Sequence, residues 1–289
     1  MNTQTSDTIT AQNAAVALTG DEALVREWTA LFESSGMTVI DGADSRALAA
    51  ESNRLQAAFE LTVLSREEKR PRLEAFERLV PAHVPLLTSS ICVTALTQSR
   101  WVQHPERLIG FAGFPTLSQA PLVDLAPTIH TSEDAVRAAR SFFTALGKET
   151  VCVQDRTGMI APAVICQMIN EALMTVQQNV SSAQEIDTAM KLGAGFPLGP
   201  IEWGEKIGFA YVEALLDACR METGEERWRT APLLRQLAAA GSFWKHPIAS
   251  SVAAEAVQEE LPLDAAKSDE ANAAHSSAKK TKKTKKSEK

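Results

Sequence analysis

The segment Thr19-Gly20-Asp21-Glu22-Ala23-Leu24 sits between an apolar run, VALT, and a helix-like stretch, DEALVREWTALFESSG. A turn from strand to helix is a natural anion site, because free backbone N–H groups and the helix dipole both attract negative charge there. In dinucleotide-binding proteins that turn spaces glycines as G-x-G-x-x-G. The spacing lets backbone approach a pyrophosphate and lets the helix pack closely on its strand. Here the three glycine positions fall on Thr19, Asp21 and Leu24, and Gly20 is the one glycine in the turn. Asp21 and Glu22 put negative charge where a pyrophosphate would lie, and read as an ordinary acidic helix N-terminus. Leu24 puts a branched side chain where helix and strand should touch. Asp41, or Asp44 beside it, ends the next apolar run and is placed to face a ribose. The shape of a nucleotide-binding turn is kept while its glycines are absent.

Other chemistry is sparse. The five histidines are dispersed, with no HxxxH or HExxH pair, so no metal site is expected. Cys92, Cys152, Cys166 and Cys219 form no CxxC pair and read as buried, reduced thiols of a cytoplasmic protein. No run of 18 apolar residues occurs, so no membrane span is expected. The polar stretch MNTQTSDTITAQN, residues 1–13, reads as a disordered lead rather than a secretory signal. The last twelve residues hold seven lysines and one glutamate, +6, so the rest of the chain carries −13 of the net −7. Such a lysine run either stays solvated or makes non-specific contact with a polyanion, through phosphate neutralisation and counterion release.

These groups must be positioned by an alternation of strands and helices. From residue 14 to 154, β-rich runs (VALT, MTVI, AAFELTVLS, VPLLTSS, ERLIGFAGFP, PLVDLAPT, KETVCVQD) alternate with helical segments. That pattern predicts a largely parallel sheet with helices on both faces. From 155 to 246 the texture is helical throughout, with a capping-box start at Ser182 and Glu185. The fold class is thus an α/β Rossmann-like domain, degenerate and shortened, followed by an all-α domain. Residues 247–289 form an Ala- and Lys-rich tail, expected to be disordered.

The segment from Asp155 to Gly208 carries a resemblance. Asp155 and Gly158 match a D-x-P-G-F-I turn, and Asn170-Glu171-Ala172 an N-E-A helix. The run beginning at Glu185 matches E-D-I-D-x-A-M-x-x-G-x-G-F-P-x-G-P almost throughout. Together they resemble the helical domain of 3-hydroxyacyl-CoA dehydrogenases, including 3-hydroxybutyryl-CoA dehydrogenases. Upstream, PAHVPLLTSSI, HPERLIG, PLVDL and LGKETVCVQD echo that family's N-terminal domain more weakly, so that the resemblance spans about residues 14 to 240.

The resemblance implies an NAD-binding Rossmann domain, a helical domain that pairs two subunits, and an acyl-CoA ligand. It also implies a set of site residues. Ser89 aligns with a substrate-orienting serine. Asp124 aligns with the glutamate partner of the catalytic histidine, and the histidine position itself falls on Ala112. Without an imidazole to orient, Asp124 reads as a solvated strand-end carboxylate. His104 and His130 are the histidines nearest in sequence. The family's N-R pair falls on Pro162-Ala163, and its CoA-binding arm is cut to about a dozen residues between Asp44 and Gln56, where Arg46 and Arg54 are the local cations. Scaffold is retained while chemistry is lost. Three functions therefore stand: an impaired family member, homodimeric, that binds an acyl-CoA-related ligand or a partner; an active NAD-dependent dehydrogenase of fatty-acid or hydroxybutyrate metabolism; or polyanion binding through the lysine-rich tail.

Overall fold

The computed structural model describes residues 14–245; the expected lead and the lysine-rich tail lie outside the described residues. The chain runs β1 (Ala15–Gly20), α1 (Glu22–Ser34), β2 (Thr38–Asp41), α2 (Ser45–Ala50), β3 (Leu55–Leu61), α3 (Arg66–Leu79) and β4 (Leu86–Ser89). It continues through α4 (Ala95–Gln98), β5 (Leu108–Phe111), β6 (Leu122–Pro127), α5 (Glu133–Ala145) and β7 (Glu149–Cys152). These strands make one seven-stranded sheet in the order β2-β1-β3-β4-β5-β6-β7. Every pairing is parallel except β5 with β6. This is a Rossmann-like sheet whose order reverses between β1 and β3, the place where open α/β sheets take ligands.

Side-chain alternation splits the core into two layers. Val16, Leu18, Phe59 and Phe111 face α1 and α5, while Ala15, Ala17, Ala58 and Leu86 face α2 and α3. The first layer is aromatic: Trp28 stacks on Phe59 at 5.7 Å and meets Phe111 edge-on at 5.5 Å, and Phe142 packs 5.6 Å from Phe59. Leu24, fully buried, extends this layer toward the β1–α1 turn. The helix thus seats on its strand through a leucine.

A helical domain follows, with α6 (Ala161–Gln177), α7 (Ala183–Gly193), α8 (Pro200–Ile207), α9 (Phe209–Thr223) and α10 (Pro232–Ala240). The residues that carry the family signature are its joints. The Asp187 carboxylate accepts the N–H groups of Ile201 and Glu202 at 2.9 and 3.0 Å, capping α8. A Cβ on Gly199 would sit 2.2 Å from the Asp187 carboxyl carbon, so only glycine fits that approach. Asn170 donates to the Arg229 carbonyl and accepts from the Ala231 N–H, tying α6 to the segment before α10. The capping box of Ser182 and Glu185 starts α7 as expected.

The expectation of four buried thiols needs correcting. Cys166 and Cys219 are buried, but Cys152 is exposed at the end of β7 and Cys92 is half-buried. Cys152 lies on the short strand at the sheet's edge, so the helices that cover the middle of the sheet do not enclose it.

One buried group breaks the apolar pattern. Glu60, near the C-terminal end of β3, is fully buried and ion-paired with Lys69 of α3, itself buried. Its other oxygen accepts the Thr62 N–H at 3.0 Å, Lys69 donates to the Thr62 carbonyl at 2.8 Å, and the Thr88 hydroxyl lies 2.9 Å from the carboxylate. Breaking such a pair from one side strands a charge in low dielectric, at a cost of roughly 3–5 kcal/mol. Lys69→Met should lower the unfolding free energy by about that much in urea denaturation, and adding Glu60→Leu should recover most of it. A Lys69→Met loss under about 1 kcal/mol would show that water reaches the pair.

Candidate functional site

Ligand chemistry belongs at the C-terminal ends of β1, β3, β4 and β5, where α9 closes over the sheet edge. At the end of β1, Gly20 adopts φ +142°, and a Cβ there would lie 2.5 Å from the Leu61 backbone. Glycine is required because the first and third strands nearly touch. Asp21 is the N-cap residue of α1, but its side chain makes no capping bond. Its carboxylate turns across the switch point and accepts the N–H groups of Val63 and Leu64 at 2.9 and 3.0 Å. The expected acidic N-cap is therefore corrected: two orphan amides beyond β3 outcompete the amides of α1's own first turn.

The sole tyrosine completes this corner from the helical domain. Tyr211 of α9 is buried, and its ring meets Phe114 edge-on at 6.2 Å. Burial, and then the negative charge of nearby Asp21, push its phenol well above the usual range. The other early carboxylates are engaged locally. Asp41 is exposed and accepts the Ala43 N–H at 2.9 Å, while Asp44 caps α2 through the N–H groups of Arg46 and Ala47. Arg54 pairs with Glu51 at 2.6 Å, within its own loop.

The segment after β5 carries the Ala112 position and folds inward rather than out to solvent. Ala112, Gly113, Phe114 and Pro115 are all buried. Glu27 of α1 accepts the N–H groups of Thr116 and Ser118, and the Ser118 hydroxyl as well. The Trp203 indole N–H donates to the Thr116 hydroxyl at 3.2 Å. This grip holds Thr116 at φ 70°, a conformation that β-branched residues rarely adopt. Ser89, also buried, donates its hydroxyl to the Gly113 carbonyl at 2.8 Å. The serine is present, and its proton is used by the loop.

Asp124 lies close to Ala112, whose N–H reaches the Asp124 carbonyl at 3.2 Å. It is not a solvated carboxylate: it is 6% exposed and accepts the Ile160 N–H at 3.3 Å, where the chain enters α6. The strand buries it because β6 is interior to the sheet, flanked by β5 and β7. Neither nearby histidine substitutes for the missing imidazole. His104 precedes β5, and His130 follows the antiparallel β6, so both lie at the opposite edge of the sheet from Ser89. Among the described residues no cluster of histidine, cysteine, aspartate and glutamate could hold a metal.

Three residues that periodicity and motif missed shape this edge: Glu60, Glu27 and Tyr211. Glu60 left a trace, a lone charge inside the apolar run AAFELTV. Glu27 and Tyr211 left none, because their partners lie 89 residues away in one case and in the other domain in the second. Beside the corner lies a cavity of about 460 Å³ between the strand-end loops and α9. Cys92 lines it, with its thiol pushed up to about 12 by burial, so it is protonated and not a nucleophile.

The single tyrosine allows a site-specific titration. Its raised pKa means the phenol stays neutral past the ordinary value of 10.0. The folded state therefore loses stability as pH climbs above that value. Absorbance at 295 nm should show no native ionisation near pH 10, and Asp21→Asn should move the midpoint down. A midpoint near 10 in the folded wild type would contradict the corner's geometry.

Comparison with known proteins agrees with this architecture. Residues 158–249 match the family model for the 3-hydroxyacyl-CoA dehydrogenase C-terminal domain, and residues 37–156 the model for its NAD binding domain. The second match begins downstream of the Thr19–Leu24 turn. A 3-hydroxybutyryl-CoA dehydrogenase of Bradyrhizobium diazoefficiens is 30% identical over 249 residues, covering 78% of this chain and 84% of its own. A probable 3-hydroxybutyryl-CoA dehydrogenase of Bacillus subtilis is 27% identical, covering 68% of each. The solved (S)-3-hydroxybutyryl-CoA dehydrogenase of Ralstonia eutropha shares the fold, with a TM-score of 0.63 and 20% identity over 80% of this chain and 95% of that one. With signature, sheet order and relatives in agreement, the chain belongs to the 3-hydroxyacyl-CoA dehydrogenase family.

Proposed function

We propose that this chain is a catalytically impaired member of its family, one that holds a ligand or a partner without oxidising it. The observation that carries this is the Asp21 carboxylate on the Val63 and Leu64 amides. A pyrophosphate at the first βα turn would face that carboxylate directly. Two unit charges 4 Å apart repel by about 4 kcal/mol at an effective dielectric of about 20. The residues at the turn do not suit a dinucleotide, and no reaction step is routed through one.

The acid–base side is consistent with this. Positioned proton transfer contributes about 10²–10⁴-fold in enzymes that use it. Ala112 has no titratable group, Ser89 is hydrogen-bonded to the loop, and Asp124 serves the entry to α6. What this chain's residues do at the edge is orient one another.

The other reading, an active NAD-dependent dehydrogenase, is favoured by the names of the relatives, which act on 3-hydroxybutyryl-CoA. We further propose that two copies pair through the helical domain. There Ile160, Val164, Val180 and Leu192 are exposed, the last at 83%. Free thiols accord with a cytosolic setting.

One preparation tests all of this: light scattering at about 10 µM, then absorbance at 340 nm with NADH and acetoacetyl-CoA at near-stoichiometric protein. We expect a dimer and no decay above the protein-free control. Turnover on the order of 1 s⁻¹ or more, the ordinary enzymatic range, would contradict the impairment. A monomeric mass would contradict the pairing.

A further inference from the structure

The 460 Å³ cavity beside the Asp21 corner falls in the range of small-molecule sites, about 300–1,000 Å³. Its walls are apolar on both sides, with Val63 and Val93 on the strand-end loops and Ala214 and Ala218 on α9. Three charged side chains reach it. Asp217 is taken by Arg235 at 2.7 Å and by the Thr230 hydroxyl at 2.8 Å. Glu222 accepts the Thr157 N–H at 3.0 Å and faces Arg156 at 3.9 Å.

Arg66 differs from both. At the start of α3 it meets no carboxylate among the described residues, and its guanidinium reaches only the Met221 sulfur, 3.9 Å away across the mouth. Two of the threonine hydroxyls inside, those of Thr94 and Thr97, bond to each other at 2.8 Å. The cavity therefore has an apolar body, two carboxylates that are already engaged, and at its entrance one positive charge without a carboxylate partner among the described residues.

From this we propose that the cleft binds a medium-chain monocarboxylate. The carboxylate would meet Arg66 at the mouth, and the hydrocarbon would lie between Val63 and Val93 on one side and Ala214 and Ala218 on the other. A neutral amphiphile satisfies the walls and leaves Arg66 without a counter-charge. A cation is repelled by Arg66 and finds both carboxylates already paired. A headgroup with several phosphates needs more donors than one arginine supplies. The proposal rests on the function proposed above in one respect: the cleft is used for binding, with no dinucleotide in it.

The test is calorimetric titration of the full chain, without NADH, against octanoate, 1-octanol, octylammonium and octanoyl-CoA. Octanoate should bind saturably with Kd below about 1 mM, while octylammonium gives no heat and 1-octanol binds at least tenfold more weakly. Arg66→Gln, a change at an exposed side chain, should weaken octanoate about tenfold. Ala218→Trp, with its fold checked by thermal unfolding, should abolish binding by filling the cleft.

The proposal is overturned if octylammonium or 1-octanol matches octanoate, if Arg66→Gln leaves affinity unchanged, or if octanoate gives no heat. Octanoyl-CoA binding more than tenfold tighter than octanoate would assign the cleft to thioesters and overturn it too. A parallel assay with NADH separates the two claims. Turnover there defeats the impairment and with it the one respect in which this inference rests on it, whereas failed carboxylate selectivity in an inactive protein defeats this inference alone.

Discussion

The carboxylate of Asp21, held by the amides of Val63 and Leu64, ties the first βα turn to the exit of β3. Those two turns flank the point where the sheet reverses its order, so this contact sets what the edge can admit. It requires the strands to approach closely, which is why Gly20 cannot carry a Cβ. It directs Val63 and Leu64 toward the interdomain cleft, whose wall they form. It also places a negative charge beside Tyr211, which links the sheet edge to α9.

A second constraint acts from the other side of the edge. Glu27 satisfies three donors of the loop after β5, and Trp203 of α8 satisfies a fourth group on it. The loop is thereby packed between the two domains, with Ser89 bonded to its backbone. Under it, Glu60, Lys69, Thr88 and Gln98 form a buried polar layer whose members are mutually satisfied. Such a layer is costly to disturb and favours a single arrangement. The residues shared with the family at the helical end, Asn170, Asp187 and Gly199, do comparable work there by capping and close packing. These joints hold the helical domain together whatever the sheet edge does.

Most of the fold could be read from local signals. Strand runs, helix caps and the run from Glu185 onward each depend on residues close in sequence, and the sheet and the helical domain follow from them. The site was legible only in part. Short motifs point to Ala112 and Ser89, and the turn points to Gly20, but their neighbours come only from the fold. Asp124 was misjudged as solvated because its burial depends on β6 having a neighbour on each side, which β-propensity does not encode. Asp21 does stand at the N-cap of α1, but its side chain does not bond to that helix, because the partners it takes lie 42 and 43 residues away. Helix-capping rules describe the local alternative, and here the long-range one prevails. The thiols were misjudged for a similar reason, since Cys152 lies at the sheet's margin, a property of strand order rather than of residue type.

The central claim is that the switch-point crevice is occupied by the chain's own carboxylate and does not take a dinucleotide. Equilibrium titration of folded protein with NADH, followed by nicotinamide fluorescence and by tryptophan energy transfer, tests it most directly. The account predicts no saturable signal up to about 1 mM NADH, a weakness matching a binding free energy smaller in magnitude than about 4 kcal/mol. Saturable binding in the micromolar range, retained when Asp21 is intact, would contradict it.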